Sequence, residues 1–304
     1  MKVSIGIPAH NEEANIGRLL DNLLTQTLKD DTDLEEILVV ADGCTDQTVD
    51  IVKGFKEKND IIKLIELKER HGLSFTFNTV VSHASDEILI VVNADTLPEL
   101  GCIARLVKAF KNKRVGCVVG RAVPIDDPET IWGYIHHLLF KWNYLPEFFR
   151  VDFEGCCALR RELVEPVPTD ILDYEPYIDA AIRRKGYNVV GALDSITYTK
   201  GADRLWDFLN QRKRTFFMHL QTMRKLEMVE PRLNFTKVLK TIPKYLSLHP
   251  KKLFWFLATS ILIAYCYFQA WYDFQRGASY DKWKMVPSTK KLTRQKRILA
   301  LKKH

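Results

Sequence analysis

Three features are missing from this 304-residue sequence, and each absence narrows what the protein can be. Its six cysteines form no C-x-x-C pair, so neither a zinc site nor a disulfide framework is predicted, and a reducing, cytosol-facing compartment is expected. The N-terminus lacks an apolar segment as long as that of a signal peptide, so secretion is not predicted. The net charge of +7 arises from residues 276–304, which carry +9, so the charge is expected to serve membrane contact, and nucleic-acid binding is not expected.

Up to about residue 120, apolar strands alternate with amphipathic helices. The predicted strands are 3–8, 36–41, 61–67 and 87–93, and the predicted helices are 12–24, 45–58 and 73–82. Strands that are apolar on both faces and separated by helices indicate an α/β fold whose mostly parallel sheet is flanked by helices. Ligands of such sheets bind at the carboxyl ends of the strands.

Polar side chains follow three of these strands directly, in the segments 8–12, 41–46 and 93–96. Carboxylate and amide oxygens in such places bind a divalent cation or accept hydrogen bonds from a base or ribose. A single acidic residue at a strand end is often only a turn or helix cap, but three such segments together favour a nucleotide-diphosphate site. A Gly-rich basic loop after the first strand, as a nucleotidyltransferase would have, is not present.

These segments resemble the motifs of the family 2 inverting glycosyltransferases, which have the GT-A nucleotide-sugar-binding fold. Residues 8–13 resemble the P-x-x-N-E motif, and 41–46 resemble the D-G-S-x-D loop. Residues 93–95 stand where the family has D-x-D, and 68–78 are similar to its basic G-K-x-x-A-L-N stretch without the lysine. Residues 155–161 are similar to its G-x-x-x-x-R-R turn.

The resemblance implies a metal ligand and a set of nucleotide-binding residues. Asp95 is the expected ligand of Mn²⁺ or Mg²⁺, although Asn93 departs from the family at the first position of D-x-D. Asp42 is expected to read the base. The full expected nucleotide-binding set is Pro8, His10, Glu12, Asp42, His71, Asn93 and Ala94.

The catalytic base is less clear in the sequence. Counting back from Gly186 places Glu175 where the family has an aspartate base, with Asp173 and Asp179 as alternatives. A carboxylate at this point would take the proton of the acceptor hydroxyl. Glu175 precedes a proline, so it is also suited to open a helix, and a base at a helix start would satisfy both descriptions.

Residues 211–215 resemble the Q-x-x-R-W motif of membrane-associated members of the family. The resemblance places Gln211, Arg212 and Arg214 near the diphosphate and the acceptor, although a basic cluster on a helix is also typical of a solvated surface. Thr215 stands where tryptophan is usual, which removes an aromatic platform for a sugar. Transfer of a single sugar is therefore favoured over processive synthesis.

Two apolar stretches indicate contact with a membrane. Residues 253–272 contain no charge and have the length that crosses a bilayer, but they are also compatible with a helix that lies in the interface or in a protein core. Residues 131–149 are rich in aromatics and suit either a lipid boundary or a core helix. In the tail, 283–291 resembles a W-x-x-x-x-x-T-K ending that folds back on the catalytic domain.

Together these patterns predict a GT-A catalytic domain at 1–230 and a membrane-attachment region with a basic tail at 231–304. The predicted activity is inverting transfer of a hexose from a UDP- or GDP-linked sugar to a lipid or glycolipid acceptor. The protein is expected at an anionic membrane surface, with its catalytic domain facing the cytoplasm. A processive synthase and a membrane scaffold without catalytic activity are the alternatives.

Overall fold

The computed structural model describes residues 1–28, 32–144, 155–227, 249–278 and 289. The chain divides into two compact units. The sheet unit comprises 1–123, 151–200 and 290–304, and the helical unit comprises 124–150 and 201–289. The domain boundary predicted at residue 230 and the tail motif at 283–291 lie outside the described residues, apart from Thr289.

The sheet unit contains eight strands and five of the helices. The strands are β1 (Lys2–Ala9), β2 (Asp33–Asp42), β3 (Ile62–Leu67), β4 (Ile88–Val92), β5 (Leu97–Pro98), β6 (Val115–Pro124), β7 (Cys156–Arg160) and β8 (Asn188–Thr199). The helices are α1 (Ile16–Leu24), α2 (Thr48–Lys56), α3 (Leu73–His83), α4 (Cys102–Lys108) and α6 (Glu175–Arg184).

The eight strands form one mixed sheet in the order β3-β2-β1-β4-β7-β6-β8-β5. The first four strands of this order are parallel, as predicted. Antiparallel pairs join β4 to β7, β7 to β6 and β8 to β5. The α/β class is confirmed. The expected turn at 155–161 is mostly strand, because Cys156–Arg160 pairs with β4 and β6.

Two hydrophobic cores cover the two faces of the sheet. On one face, alternate residues of β1 such as Ile5 pack with Leu19 of α1 and Leu106 of α4. On the other face, Val40 of β2 packs with Phe77 of α3. Helices on both faces make the strands apolar throughout, which explains why the sequence shows continuous apolar runs instead of alternation.

The helical unit consists, among the described residues, of three helices: α5 (Ile131–Asn143), α7 (Leu205–Leu226) and α8 (Pro250–Gln275). Trp132 of α5 packs on Phe208 of α7 with ring centroids 5.7 Å apart. Ile135 of α5 is fully buried in this core. The described part of the aromatic stretch 131–149 is therefore a packed helix, and 145–149 lie outside the described residues.

Arg160 at the end of β7 connects three segments of the sheet unit. Its Nε donates to the carbonyl of Val115 at 2.9 Å, and its Nη2 donates to the carbonyl of Phe110 at 3.1 Å. Its Nη1 pairs with Glu87 at 2.5 Å. The guanidinium is buried, so both carbonyls would lose their partner without it.

We predict that Arg160→Met lowers the free energy of unfolding by roughly 2–4 kcal/mol, because two buried carbonyls become unpaired. Urea unfolding of the purified protein measures this change. Arg184→Met is the control, since Arg184 is exposed on α6, and it should change stability by less than about 0.5 kcal/mol. Equal effects of the two substitutions would contradict the structural role of Arg160.

Candidate active site

The loops that follow β1, β2 and β4 leave the sheet at the same edge. Ala9 lies beside Ala41 in the β1–β2 ladder, and Gly6 lies beside Val91 in the β1–β4 ladder. All three strands run in the same direction, so their carboxyl ends are neighbours. The three polar segments selected from the sequence therefore follow neighbouring strand ends, as predicted.

The loops after β1 and β2 are joined by hydrogen bonds. The backbone N–H of Glu12 donates to Oγ1 of Thr48 at 2.7 Å, and that of Glu13 donates to Asp46 at 3.1 Å. In return, the backbone N–H of Gln47 donates to Glu13 at 3.1 Å. Burial alone would raise the pKa of Asp46, but the hydrogen bonds from Thr48 and Glu13 lower it. The helices predicted to begin at Glu12 and at residue 45 therefore begin later in the chain. The residues at the predicted starts form hydrogen bonds between the two loops instead.

Asp42 holds the loop that follows β3. Its carboxylate is buried and accepts hydrogen bonds from the backbone N–H groups of His71, at 2.7 Å, and Gly72, at 2.8 Å. His10 contacts the same residue through its Nδ1, which lies 2.6 Å from the Asp42 carbonyl oxygen. Three residues of the expected nucleotide-binding set thus lie together. Oδ1 also lies 3.3 Å from Nδ1 of His71, so the remaining acceptor capacity of Asp42 is on Oδ2.

Gly43 allows this loop to lie directly against the end of β2. Its φ is +58°, a left-handed conformation, and a Cβ atom there would lie 2.7 Å from the carbonyl carbon of Glu69. The Gly43 N–H donates to the carbonyl of Leu67 at 2.9 Å. His71 stacks on Phe75 with ring centroids 4.4 Å apart, and its side chain is 37% exposed. The loop therefore presents a partly exposed aromatic ring beside Asp42.

Asn93, Ala94 and Asp95 form a tight turn at the end of β4. The carbonyl of Asn93 accepts from both the N–H and the hydroxyl of Thr96, at 3.1 and 2.7 Å. The N–H of Asn93 donates to the carbonyl of Gly155 at 3.2 Å, which joins the turn to the start of β7. Asp95 is half-buried, and no hydrogen bond or ion pair to its carboxylate comes from the residues that the structure describes.

The residues at this turn suit a divalent cation whose coordination comes mainly from phosphate oxygens and water, with few ligands from the protein. Within the described ranges, no group of three or more His, Cys, Asp or Glu side chains could hold a metal alone. Mg²⁺ in nucleotide sites typically takes one or two carboxylates, and phosphate oxygens and water complete its coordination. The carboxylate of Asp95, which no described residue compensates, fits that requirement.

The three candidates for the catalytic base have different environments. Asp173 is buried, and its Oδ1 accepts from the backbone N–H of Glu175 at 3.1 Å, as a helix-capping group does. Asp179 is buried and pairs with Nε of Arg183 at 2.8 Å. Glu175 is the first residue of α6, where Pro176 follows it, and is half-buried. Glu175 therefore opens the helix, a position that leaves its carboxylate at the helix N-terminus.

The charge of Glu175 also acts on the strand that pairs with β4. Burial raises the pKa of the Cys157 thiol well above its usual value, and the charges of Cys117 and Glu175 add to this effect. Cys157 pairs with Val91 of β4, two residues before Asn93. The Glu175 charge therefore acts on β7 at the residue that pairs with Val91 of β4.

The other expected site residues occupy two places. Pro8 lies in β1, and Ala94 lies in the turn after β4. Glu12 is buried, and its carboxylate accepts a hydrogen bond from the side chain of Asn15 at 3.0 Å. Gln211, Arg212 and Arg214 lie on α7 of the helical unit and are half-buried. Their proximity to a diphosphate and the likeness of this segment to Q-x-x-R-W remain predictions.

Two side-chain contacts in this region have no signal in the sequence. Tyr174 is fully buried beside Glu175 and stacks on Phe77 of α3 with ring centroids 4.0 Å apart. The thiols of Cys102 and Cys156 lie 3.5 Å apart, behind the turn at Gly155. No local spacing predicts either contact, because the partners are far apart in the chain.

The sequence model of the family described as "Glycosyl transferase family 2" matches residues 4–166. This match covers more than half of the chain, and the chain belongs to that family. The expected GT-A fold is confirmed by solved structures. A mannosyltransferase of Pyrobaculum calidifontis, solved in complex with GDP-Man and Mn²⁺, superposes with a TM-score of 0.60 at 23% identity, covering 91% of this chain and 79% of that chain.

Two curated relatives cover only part of the chain. A probable glycosyltransferase of Bacillus subtilis, YdaM, is 34% identical over 148 residues, which are 46% of this chain and 35% of the relative. A dolichol-phosphate mannosyltransferase of Pyrococcus furiosus is 29% identical over 201 residues, 62% of this chain and 55% of the relative. The chain thus spans about a third to about half the length of these relatives.

We predict that Gly43→Ala lowers the free energy of unfolding by about 2 kcal/mol or more, because an alanine is strained at this φ and its Cβ would displace residues 69–70. Urea unfolding measures the loss. Gly54→Ala is the matched control, since a Cβ at Gly54 of α2 meets nothing within 4 Å. This control should be neutral or stabilising by up to about 1 kcal/mol. A neutral Gly43→Ala would contradict the close packing of the loop.

Proposed function

We propose that the protein is an inverting, metal-dependent glycosyltransferase that moves a hexose from a UDP- or GDP-linked sugar to a lipid or glycolipid acceptor. One observation carries the proposal. The three loops at the carboxyl edge of the sheet bring the base-reading candidates together and leave the Asp95 carboxylate without a partner among the described residues. Membership of the family and the superposition on a mannosyltransferase that binds GDP-Man and Mn²⁺ support it.

The nucleotide would bind between the loops after β1 and β2. Asp42 would accept a hydrogen bond from the base, with His10 and His71 beside it. Pro8, Glu12, Asn93 and Ala94 complete the proposed site, as the family resemblance implies. The carboxylate of Asp42 is already oriented by two backbone N–H groups, so binding would require little ordering of this side chain.

Asp95 would hold Mn²⁺ or Mg²⁺. When bound, such an ion supplies positive charge that stabilises a departing nucleoside diphosphate. Gln211, Arg212 and Arg214 are proposed to contact the diphosphate and the acceptor, where the planar guanidinium groups would pair with phosphate oxygens.

Glu175 would act as the base. Its carboxylate would take the proton of the acceptor hydroxyl while the hydroxyl oxygen attacks the anomeric carbon from the side opposite the diphosphate. This single displacement inverts the configuration at that carbon. Asp173 and Asp179 are less suitable, because one caps α6 and the other pairs with Arg183.

The acceptor and the location are argued from the apolar helix α8 and from one relative. Of the described helices, α8 alone is long and apolar enough to cross a membrane, which by itself is weak support for membrane association. The Pyrococcus furiosus relative is described as a dolichol-phosphate mannosyltransferase. We therefore propose a lipid-linked acceptor at an anionic membrane surface on the cytoplasmic side. Transfer of one sugar is favoured over processive synthesis, since Thr215 replaces the tryptophan of the motif.

We predict that Asp95→Ala lowers sugar transfer by at least about 10²-fold, because a charge-stabilising group at the diphosphate is lost. The assay uses detergent-purified protein and a panel of UDP- and GDP-sugars with Mn²⁺ or EDTA. EDTA should abolish transfer by the wild type. Transfer that survives both EDTA and Asp95→Ala would contradict the metal site. If no donor is bound or consumed, the scaffold alternative takes the place of this proposal.

We predict that Glu175→Gln lowers transfer by roughly 10²–10⁴-fold while nucleotide affinity stays unchanged, because only proton transfer is removed. A nucleotide that stabilises the wild type in thermal unfolding should stabilise this variant equally. Asp179→Asn and Asp173→Asn are the matched controls, and they should affect unfolding more than transfer. If Asp179→Asn abolished transfer and Glu175→Gln did not, the assignment of the base would be wrong.

A further inference from the structure

One face of α8 is apolar and exposed along the whole helix. Large side chains recur on this face at spacings of three and four residues, and each is between 41% and 69% exposed. We call this face the outward stripe. It consists of Phe254, Leu257, Ile261, Tyr265, Phe268, Trp271 and Tyr272. An apolar stripe of this length is unusual on a surface that meets only water.

The opposite face of α8 packs inside the helical unit. Trp255 stacks at a tilt on Tyr134 of α5, with ring centroids 5.5 Å apart. Cys266 donates to the carbonyl of Leu209 of α7, and Phe274 packs edge-on against Phe217 of α7 at 5.8 Å. The two helices therefore run side by side in the same direction, and α8 is accompanied by α7 through its second half.

This partnership makes a transmembrane orientation of α8 unfavourable. Helix α7 carries six charged side chains, so it cannot enter the hydrocarbon core without a large desolvation cost. Lys213 of α7 pairs with Asp273 of α8 at 2.5 Å, which places a charged pair beside the last turns of α8. A helix that crossed the bilayer would bring α7 and this pair with it.

Both ends of α8 carry cations next to aromatic rings. Lys251 lies over the ring of Trp255 at 4.5 Å. Arg276 lies over the ring of Tyr272 at 5.2 Å and donates to its hydroxyl at 3.0 Å. Cations and aromatics at the two ends, with an apolar stripe between them, complement the anionic headgroups and acyl chains of a single leaflet.

We propose that α8 lies in the plane of an anionic membrane, with the outward stripe inserted in one leaflet. Both helix ends then lie on the side of the membrane that carries the sheet unit. This inference rests on the membrane association proposed above and goes beyond it, because it selects the in-plane orientation. It also keeps Ala278, which follows α8, on the same side of the membrane as the sheet unit. The competing occupants of the stripe are a surrounding bilayer, if α8 spans, and a second copy of the chain.

The orientation is tested by labelling single cysteines in reconstituted vesicles of phosphatidylglycerol and phosphatidylcholine with a membrane-impermeant maleimide. The background carries Cys44→Ser, since the other five cysteines are buried. Lys58→Cys reports the side of the sheet unit, and Ala278→Cys reports the end of α8; both positions are exposed. We expect equal labelled fractions for the two cysteines without detergent. Protection of Ala278→Cys in vesicles in which Lys58→Cys is labelled would overturn the proposal in favour of a span.

The role of the outward stripe is tested by the triple variant Phe254→Ser, Ile261→Ser and Phe268→Ser in vesicle flotation. We expect the triple variant to bind vesicles at least about tenfold more weakly than the wild type, because three large apolar side chains leave the leaflet. Its thermal unfolding should be unchanged. Leu193→Ser is the control for loss of an exposed apolar side chain elsewhere, and it should bind as the wild type does.

Unchanged flotation of the triple variant would overturn the proposal. The proposal would also fail if the triple substitution only converted a dimer into a monomer. That result would mean that a second copy of the chain covers the outward stripe of the wild type. Sugar transfer to a detergent-soluble acceptor separates this inference from the proposed function. A triple variant that transfers sugar normally and floats poorly supports both, whereas a wild type that binds vesicles in plane and transfers no sugar contradicts only the function.

Discussion

The parallel pairing of β1 with both β2 and β4 is the constraint on which the candidate active site depends. It sets the ends of three strands side by side, so the loops that follow them can contact one another. A shift of one residue would turn buried side chains such as Ile5 and Ile90 out of their core. The hydrophobic core therefore fixes the position of polar residues that contribute nothing to it.

The acidic residues at this edge serve two purposes. Asp42 and Asp46 accept backbone N–H groups, so their charge stabilises the loops. Asp95 accepts none from the described part of the chain, and a charge held at a site without compensation is suited to an external cation. Glu175 is the first residue of α6, and its charge acts on Cys157 of β7. Asp46 thus builds the site, Asp95 and Glu175 are proposed to act in it, and Asp42 is proposed to do both.

The sequence predicted the parallel half of the sheet closely, because strands buried on both faces show as continuous apolar runs. It placed the start of α1 at Glu12 instead of Ile16, since the bond from Glu12 to Thr48 joins residues 36 positions apart. The antiparallel half was not predicted, as its strands follow no regular alternation with helices. The outward stripe of α8 also needed the structure, because periodicity in an all-apolar segment cannot show which face is packed. The pairing of Asp179 with Arg183 had a local signal in its four-residue spacing.

The anomeric configuration of the transferred sugar distinguishes a single displacement with Glu175 as the base from a double displacement. With Glu175 as the proposed base and no carboxylate proposed as a nucleophile, a single displacement is expected. Determination of the product configuration by NMR, with the first donor found to be consumed, should show the configuration opposite to that of the donor. A product that retains the donor configuration would contradict the single displacement. Retention would require two displacements and a nucleophilic side chain, and no residue is proposed in that role.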